Sequence, residues 1–212
     1  MFWVLFAAQG IDAQDSLGVS KPKLVTVEDF VGNRRQYFQL MVHKTFAGRK
    51  RLGLLSISAY AADYHNDNSK SEYLNTTLLY HRLYKGFGLH AGATFTSHKG
   101  WKPFVGLQYM MQRKSFSLIY QPSYYFLHTY KVAHIAVIEY KPAIHARWAI
   151  YTYAQLHYSY DLEQKEHFRS YVYSRLGVSY GNVSFGLAHN LDRYGAAKNT
   201  ENNYGGFVKL NL

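Results

Sequence analysis

The chain has 212 residues, a formal net charge of +11 and only 17% charged residues, a length suited to one domain with a sizeable core. It has no cysteine, which excludes a disulfide scaffold, a zinc–thiolate site and a cysteine nucleophile. No stretch matches the roughly 18 apolar residues of a spanning helix, and the basic residues form no block of the kind that binds nucleic acid.

The chain opens "MFWVLFAAQGIDAQDS". Phe2 to Ala8 is a short apolar run, and Ala13 before Gln14 offers a signal peptidase a small residue. Residues 1–14 therefore read as a signal peptide, with a buried N-terminal strand as the alternative. Residues 15–212 form a single domain.

From there the chain alternates, segment after segment, with the period of two that marks β-strands. "KLVTVEDF" (Lys23 to Phe30) is the first and weakest strand, because Glu28 and Asp29 fit poorly on a lipid-facing run. Phe38, Leu40 and Val42 alternate with Gln39, Met41 and His43. Gly53, Leu55, Ile57, Ala59 and Ala61 alternate with Leu54, Ser56, Ser58 and Tyr60. "LLYHRLYKGFGLHAGATF" (Leu78 to Phe95) reads as a hairpin about Lys85-Gly86. It sends Leu78, Tyr80, Arg82 and Tyr84 to one face, and later Leu89, Ala91, Ala93 and Phe95. Six further alternating segments follow: 105–112, 115–124, 132–140, 148–159, 168–178 and 183–188, before the last at 204–212. The fold class is all-β: a transmembrane antiparallel up-and-down barrel of about 12 strands, or 10 if the N-terminus forms a plug.

The connections alternate between brief ones, such as "YKGFG" and "YGNV", and longer polar ones, of which "LDRYGAAKNTENNYG" is the longest. Acidic residues (Asp63, Asp67, Glu72, Asp161, Glu163, Glu166, Asp192, Glu201) fall at the long-loop end. Basic ones (Arg49, Lys50, Arg51, Lys85, Arg113, Lys114, Lys141, Arg147) fall at the short-turn end, suited to anionic headgroups. A soluble sandwich or lipocalin-like barrel also alternates, but its polar face would carry more Lys and Glu than the Ser, Thr, Gln, His, Tyr and Gly found here.

This pattern over nearly the whole mature chain resembles Gram-negative outer-membrane β-barrel proteins. The ending "YGGFVKLNL" keeps the apolar alternation but places Leu212 where that group commonly has an aromatic residue. By size the chain is similar to small monomeric porins that pass acidic oligosaccharides. The resemblance implies a bacterial outer-membrane location with both termini periplasmic. It implies lipid and lipopolysaccharide as surroundings, with other outer-membrane proteins as further partners.

The face expected to point inward carries His43, Tyr60, His81, His90, Gln108, Gln121, Glu139, Tyr153, Gln155, His157, Arg175 and Lys209. Arg175 and Lys209 would draw anions inward, and Glu139 would pair with a basic neighbour. The aromatic girdle expected at the membrane interfaces comprises Tyr80, Tyr84, Trp101, Tyr109, Tyr120, Tyr124, Trp148, Tyr158 and Tyr160. No metal-ligand spacing, dinucleotide loop or phosphate loop occurs, so no metal or cofactor is expected. No catalytic residue is assigned, since no motif fixes a nucleophile, base and orienting group together. The expected function is a small passive channel with mild preference for anions or polar solutes. The alternatives are a filled barrel serving as a structural subunit and a lipid-modifying hydrolase.

Overall fold

The computed structural model describes residues 25–46, 51–65, 71–97, 100–127 and 130–212. The expected signal peptide lies outside these residues. The strands are β1 (Val25–Gly32), β2 (Arg35–Thr45), β3 (Leu52–Asp63), β4 (Glu72–Tyr84), β5 (Phe87–Thr96), β6 (Gly100–Gln112) and β7 (Phe116–Tyr125). They continue as β8 (Lys131–Tyr140), β9 (Ala143–His145), β10 (Trp148–Asp161), β11 (Glu166–Tyr180), β12 (Val183–Tyr194) and β13 (Asn199–Asn211).

Each strand pairs antiparallel with the next in sequence, except that β8 pairs with β10, and the three-residue β9 folds back on the start of β10. β1 also pairs with β13, from Thr26 opposite Asn211 to Gly32 opposite Gly205. That seam closes the sheet into a barrel of twelve wall strands with β9 as an appendage. Closure leaves no unpaired edge, which is the condition for a sheet to stand in hydrocarbon. At the seam the Leu212 amide donates to the Val25 carbonyl, 2.8 Å away, so both ends of the wall lie at one end of the barrel, here the terminal end. The opposite end is the distal end.

"KLVTVEDF" does form a strand. Its acidic residues are resolved by parity: Glu28 turns inward and is buried, and the outward Asp29 accepts a hydrogen bond from Gln36 Nε2 at 2.9 Å. The turns follow their sequences. Lys85 (φ 44°) and Gly86 (φ 90°) make the two-residue type I′ hairpin between β4 and β5. Gly181 (φ 57°) leads the two-residue turn between β11 and β12.

The two ends differ less in loop length than the apolar pattern suggests. Of "LDRYGAAKNTENNYG" only residues 195–198 lie between strands, because β12 and β13 pair as far as Tyr194 opposite Asn199. Ladder hydrogen bonds do not need apolar side chains, so polar segments prolong the strands at the distal end. β10 and β11 reach 14 and 15 residues, longer than the roughly 9–11 that cross a bilayer.

The outer wall is apolar, with Leu89, Val105, Leu107, Ile150, Leu156, Leu176, Leu187 and Val208 all exposed on it. Aromatic pairs flank this band. Phe87 with Tyr109 and Trp148 with Tyr180 lie toward the terminal end, both pairs with centroids 4.9 Å apart. Phe95 and Trp101 lie toward the distal end at 5.3 Å. Of the expected girdle, Tyr84, Trp101, Tyr109, Tyr120, Tyr124, Trp148, Tyr158 and Tyr160 stand on the outer surface.

β3 and β4 run against the expected facing. Leu55, Ile57, Ala59 and Ala61 turn inward, as do Leu74, Leu78 and Tyr80, and all are buried. Tyr60 and His81, expected inside, stand outside, while Tyr80, expected in the girdle, is inside. A bulge explains this. A two-residue hairpin about Lys85-Gly86 would pair His81 with His90 and send both inward. The register instead shifts between Arg82 and Tyr84, so that Tyr80 faces His90 and His81 faces Leu89. One extra residue reverses the facing of the whole strand, and β3 follows through Leu55 opposite Leu78 and His43. Arg82 continues the Leu78–Tyr80 parity and is half-buried.

Tyr80 reaches His43 Nε2, with 2.7 Å between its Oη and the ring nitrogen, by passing over Gly53. A side chain there would collide with the Tyr80 hydroxyl and crowd the Lys44 carbonyl at 2.8 Å. Gly53→Val is therefore expected to destabilise the folded barrel by about 2 kcal/mol through overpacking, read as a lower urea midpoint for unfolding from liposomes.

Candidate functional site

The barrel interior holds the chemistry, and it has two unlike walls. From β10 through β13 to β1 and β2 the inward parity is tyrosines, amides and ions: Tyr151, Tyr153, Gln155, Tyr171, Tyr173, Arg175, Asn190, Asp192, Asn203, Lys209, Glu28, Arg35, Tyr37 and Gln39. From β3 to β8 it is mainly apolar, with Leu55, Ile57, Leu74, Leu78, Ile119, Ile135 and Val137, broken by a few polar groups.

The polar wall is organised in three layers. In the middle, Arg175 on β11 donates to Glu28 Oε1 on β1 through both Nε (3.1 Å) and Nη2 (3.0 Å), and to Asn190 Oδ1 at 2.9 Å. Its guanidinium also lies 4.8 Å from the Phe30 ring centroid. Two charges this deeply buried persist only as a pair with further hydrogen bonds around them. Beside them Tyr153 donates to Gln155 Oε1, and Gln155 Nε2 donates to Tyr171, each at 2.6 Å.

At the terminal end Lys209 Nζ donates to the Tyr151 hydroxyl at 2.9 Å and lies 3.6 Å from Glu139. At the distal end Asp192 is the hub. It accepts from Arg35 (3.1 Å), from Arg169 (2.7 Å) and from the Tyr173 hydroxyl (2.9 and 3.0 Å). Arg169 then reaches Glu72 at 3.4 Å, and Tyr194 donates to Glu72 at 3.1 Å. Glu72 begins β4 whereas Arg169 and Tyr194 lie on β11 and β12, almost opposite in the wall. These contacts form a bar across the distal mouth.

The other inward residues expected from sequence fall as follows. His43, His90, Gln108, Gln121, Tyr153, Gln155, His157, Arg175 and Lys209 are buried inside, and Glu139 is half-buried inside. Arg175 and Lys209 each face a carboxylate. Sequence reasoning missed the distal hub, assigning Asp192 and Glu72 to loops. One signal was available: Asn190 and Asp192 continue the parity of Ser184, Gly186 and Ala188, which marks them as inward strand residues.

On the opposite wall several buried polar atoms have no hydrogen-bond partner among the described residues: Gln108 Oε1 and Nε2, Gln121 Nε2 and His90 Nδ1. His90 Nε2 lies 3.0 Å from Ser123 Oγ. That is a base beside a hydroxyl, and among the described residues no group orients Nδ1 as the third member that activates a serine does.

No protein-family model matches this sequence, and no curated protein matches it. Solved structures do resemble the fold. The NanC porin aligns with a TM-score of 0.59 at 11% identity, covering 89% of this chain and 99% of that one. The KdgM porin aligns at 0.51 and 12% identity, covering 89% and 98%, as does the same porin in complex with disordered oligogalacturonate. The likeness is of fold: a closed, all-β, antiparallel barrel of twelve wall strands, with the architecture of the outer-membrane porins.

Proposed function

We propose that the chain is an outer-membrane channel for small, uncharged, hydroxyl-rich solutes, with its constriction at the distal mouth. The observation that carries this reading is the interior: a column of tyrosines and amides with Arg35, Arg169 and Arg175 each matched to a carboxylate. Hydroxyl groups both donate and accept, as do Tyr, Gln and Asn. The unsatisfied amide atoms of Gln108 and Gln121 suit such a solute better than a carboxylate, because Oε1 of Gln108 needs a donor. The fold shared with KdgM, which has also been solved with oligogalacturonate, supports passage of saccharides. The ion pairs neutralise Arg175 and Lys209, which argues for weak rather than strong anion preference. In this reading the terminal end, with Arg51, Lys85, Arg113, Lys114, Lys141 and Arg147 in its turns or at their edges, faces the periplasm and anionic headgroups. The distal end faces lipopolysaccharide.

Planar-bilayer recording tests it. The wild-type protein should give small unitary currents with a reversal potential near zero in a salt gradient. Glu72→Gln, which weakens the bar and leaves Arg169 short of one carboxylate, should raise conductance and shift selectivity toward anions. Silence from both proteins after verified insertion would reject the channel.

A second reading rests on its own observation. Arg175, Tyr37, Tyr151, Tyr153 and Tyr173 are each under 2% exposed, and a barrel filled this densely would serve a structural role. It predicts that silence.

A further inference from the structure

The reversed facing of β3 and β4 places polar groups where a membrane barrel should have none. Ser56, Ser58, Asn75 and Thr77 all point outward from the middle of the two strands. Toward the distal end the next outward pair is Tyr60 with Tyr73, and toward the terminal end it is Leu54 with Leu79. The four residues therefore sit within the apolar band. They are linked to one another: Ser56 Oγ and Thr77 Oγ1 are 2.9 Å apart, Asn75 Nδ2 donates to Ser58 Oγ at 2.9 Å, and Thr77 donates to Asn75 Oδ1 at 3.2 Å. These bonds use part of the available capacity. The second Nδ2 hydrogen of Asn75, a further lone pair on its Oδ1 and the remaining hydroxyl lone pairs face outward. Hydrocarbon offers them nothing, and the outward neighbours on either side of the patch along β3 and β4 are Leu54, Leu79, Tyr60 and Tyr73.

We propose that the outer wall of β3 and β4 is a contact face at which two copies of this chain associate within the membrane. The reading rests on the barrel being membrane-embedded. A second copy is the favoured occupant for three reasons. The patch carries no charge, so it does not repel itself. Its amide and hydroxyls both donate and accept, so the same surface is complementary to itself about a twofold axis. Its side chains are small, and beside it β5 presents Ala91 and Ala93 outward, so two walls can approach closely, as small residues allow between membrane helices.

The absence of native cysteine makes the test direct. Full-length Ser58→Cys and Asn75→Cys proteins would be refolded into phosphatidylcholine liposomes and treated with a short bis-maleimide. Leu187→Cys, on the far wall and 70% exposed, is the control. Heat-dependent gel migration verifies insertion in each case, so failure of the membrane reading appears as a barrel that does not insert. Inserted Ser58→Cys and Asn75→Cys proteins should cross-link to a dimer well above the Leu187→Cys level at equal protein density. Asn75→Leu, measured by energy transfer between labelled copies, should weaken dimerisation about fivefold, the loss expected for a few membrane hydrogen bonds. Equal cross-linking from both walls, or energy transfer unchanged by Asn75→Leu, overturns the proposal. So does an inserted protein that remains monomeric.

Discussion

Asp192→Ala is expected to be among the most damaging single substitutions in the barrel. Asp192 is fully buried and is the common acceptor for Arg35, Arg169 and Tyr173. Its removal strips two buried guanidiniums of a charge partner at once. Arg169 keeps Glu72, and among the described carboxylates Arg35 keeps the half-exposed Glu201 at 3.5 Å. Removing one member of a buried pair costs about 3–5 kcal/mol, and two cations share this loss. The urea midpoint for unfolding from liposomes should fall steeply, and the inserted fraction should show a looser distal mouth with noisier, larger currents. Asp192→Asn preserves an acceptor for Tyr173 and should fall between the two. A midpoint within error of wild type for Asp192→Ala would show that water or the remaining acids replace the hub.

The second large effect is expected in the middle layer. Glu28→Ala takes from the buried Arg175 the carboxylate oxygen to which its Nε and Nη2 both donate, while the bonds to Asn190 and to backbone carbonyls remain. The expected loss is again about 3–5 kcal/mol. The informative variant is the double replacement Glu28→Leu with Arg175→Met. Replacing a whole buried pair by apolar groups of similar size is often neutral or better, and Phe30 and Phe207 are already packed against the guanidinium. The double variant should recover most of the stability lost by the single one. If both are equally unstable, the pair is not what holds β1 to β11 through the interior, and Gly32 or the seam ladder would be the place to look.

Much of the architecture is legible in the sequence. Alternation reports strands because side chains leave a strand on opposite faces in turn, and the low charge of the polar face distinguished a membrane barrel from a soluble one. Facing was legible only where pairing was regular. His90 and Gln108 are buried inside, on the parity their alternation gives, and no irregularity intervenes between β5 and β6. His81 and Tyr60 were misplaced because one bulged residue near Leu83 has no local signature, yet it decides the parity of two strands. Apolar alternation alone does not say which side is lipid, and here the apolar parity of β3 faces the interior. The distal ion network was invisible for a different reason. Asp192 and Glu72 are paired through space with residues far away in sequence, and an acidic residue next to a polar stretch looks like a loop until the strand is known to continue.

The seam between β1 and β13 has a kinetic consequence. Thr26 pairs with Asn211, so the wall is joined by residues separated by almost its entire length. Every other neighbouring pair of wall strands is local in sequence and can form hairpin by hairpin. Until the last strand is laid down, however, β1 and β12 each present an open row of backbone donors and acceptors. The closing contact must absorb the loop-closure entropy of the whole wall in one step. A chain shortened by its final strand would therefore lose more than one strand's worth of stability. It would persist as an open ribbon whose free edges pair with whatever other strand they meet.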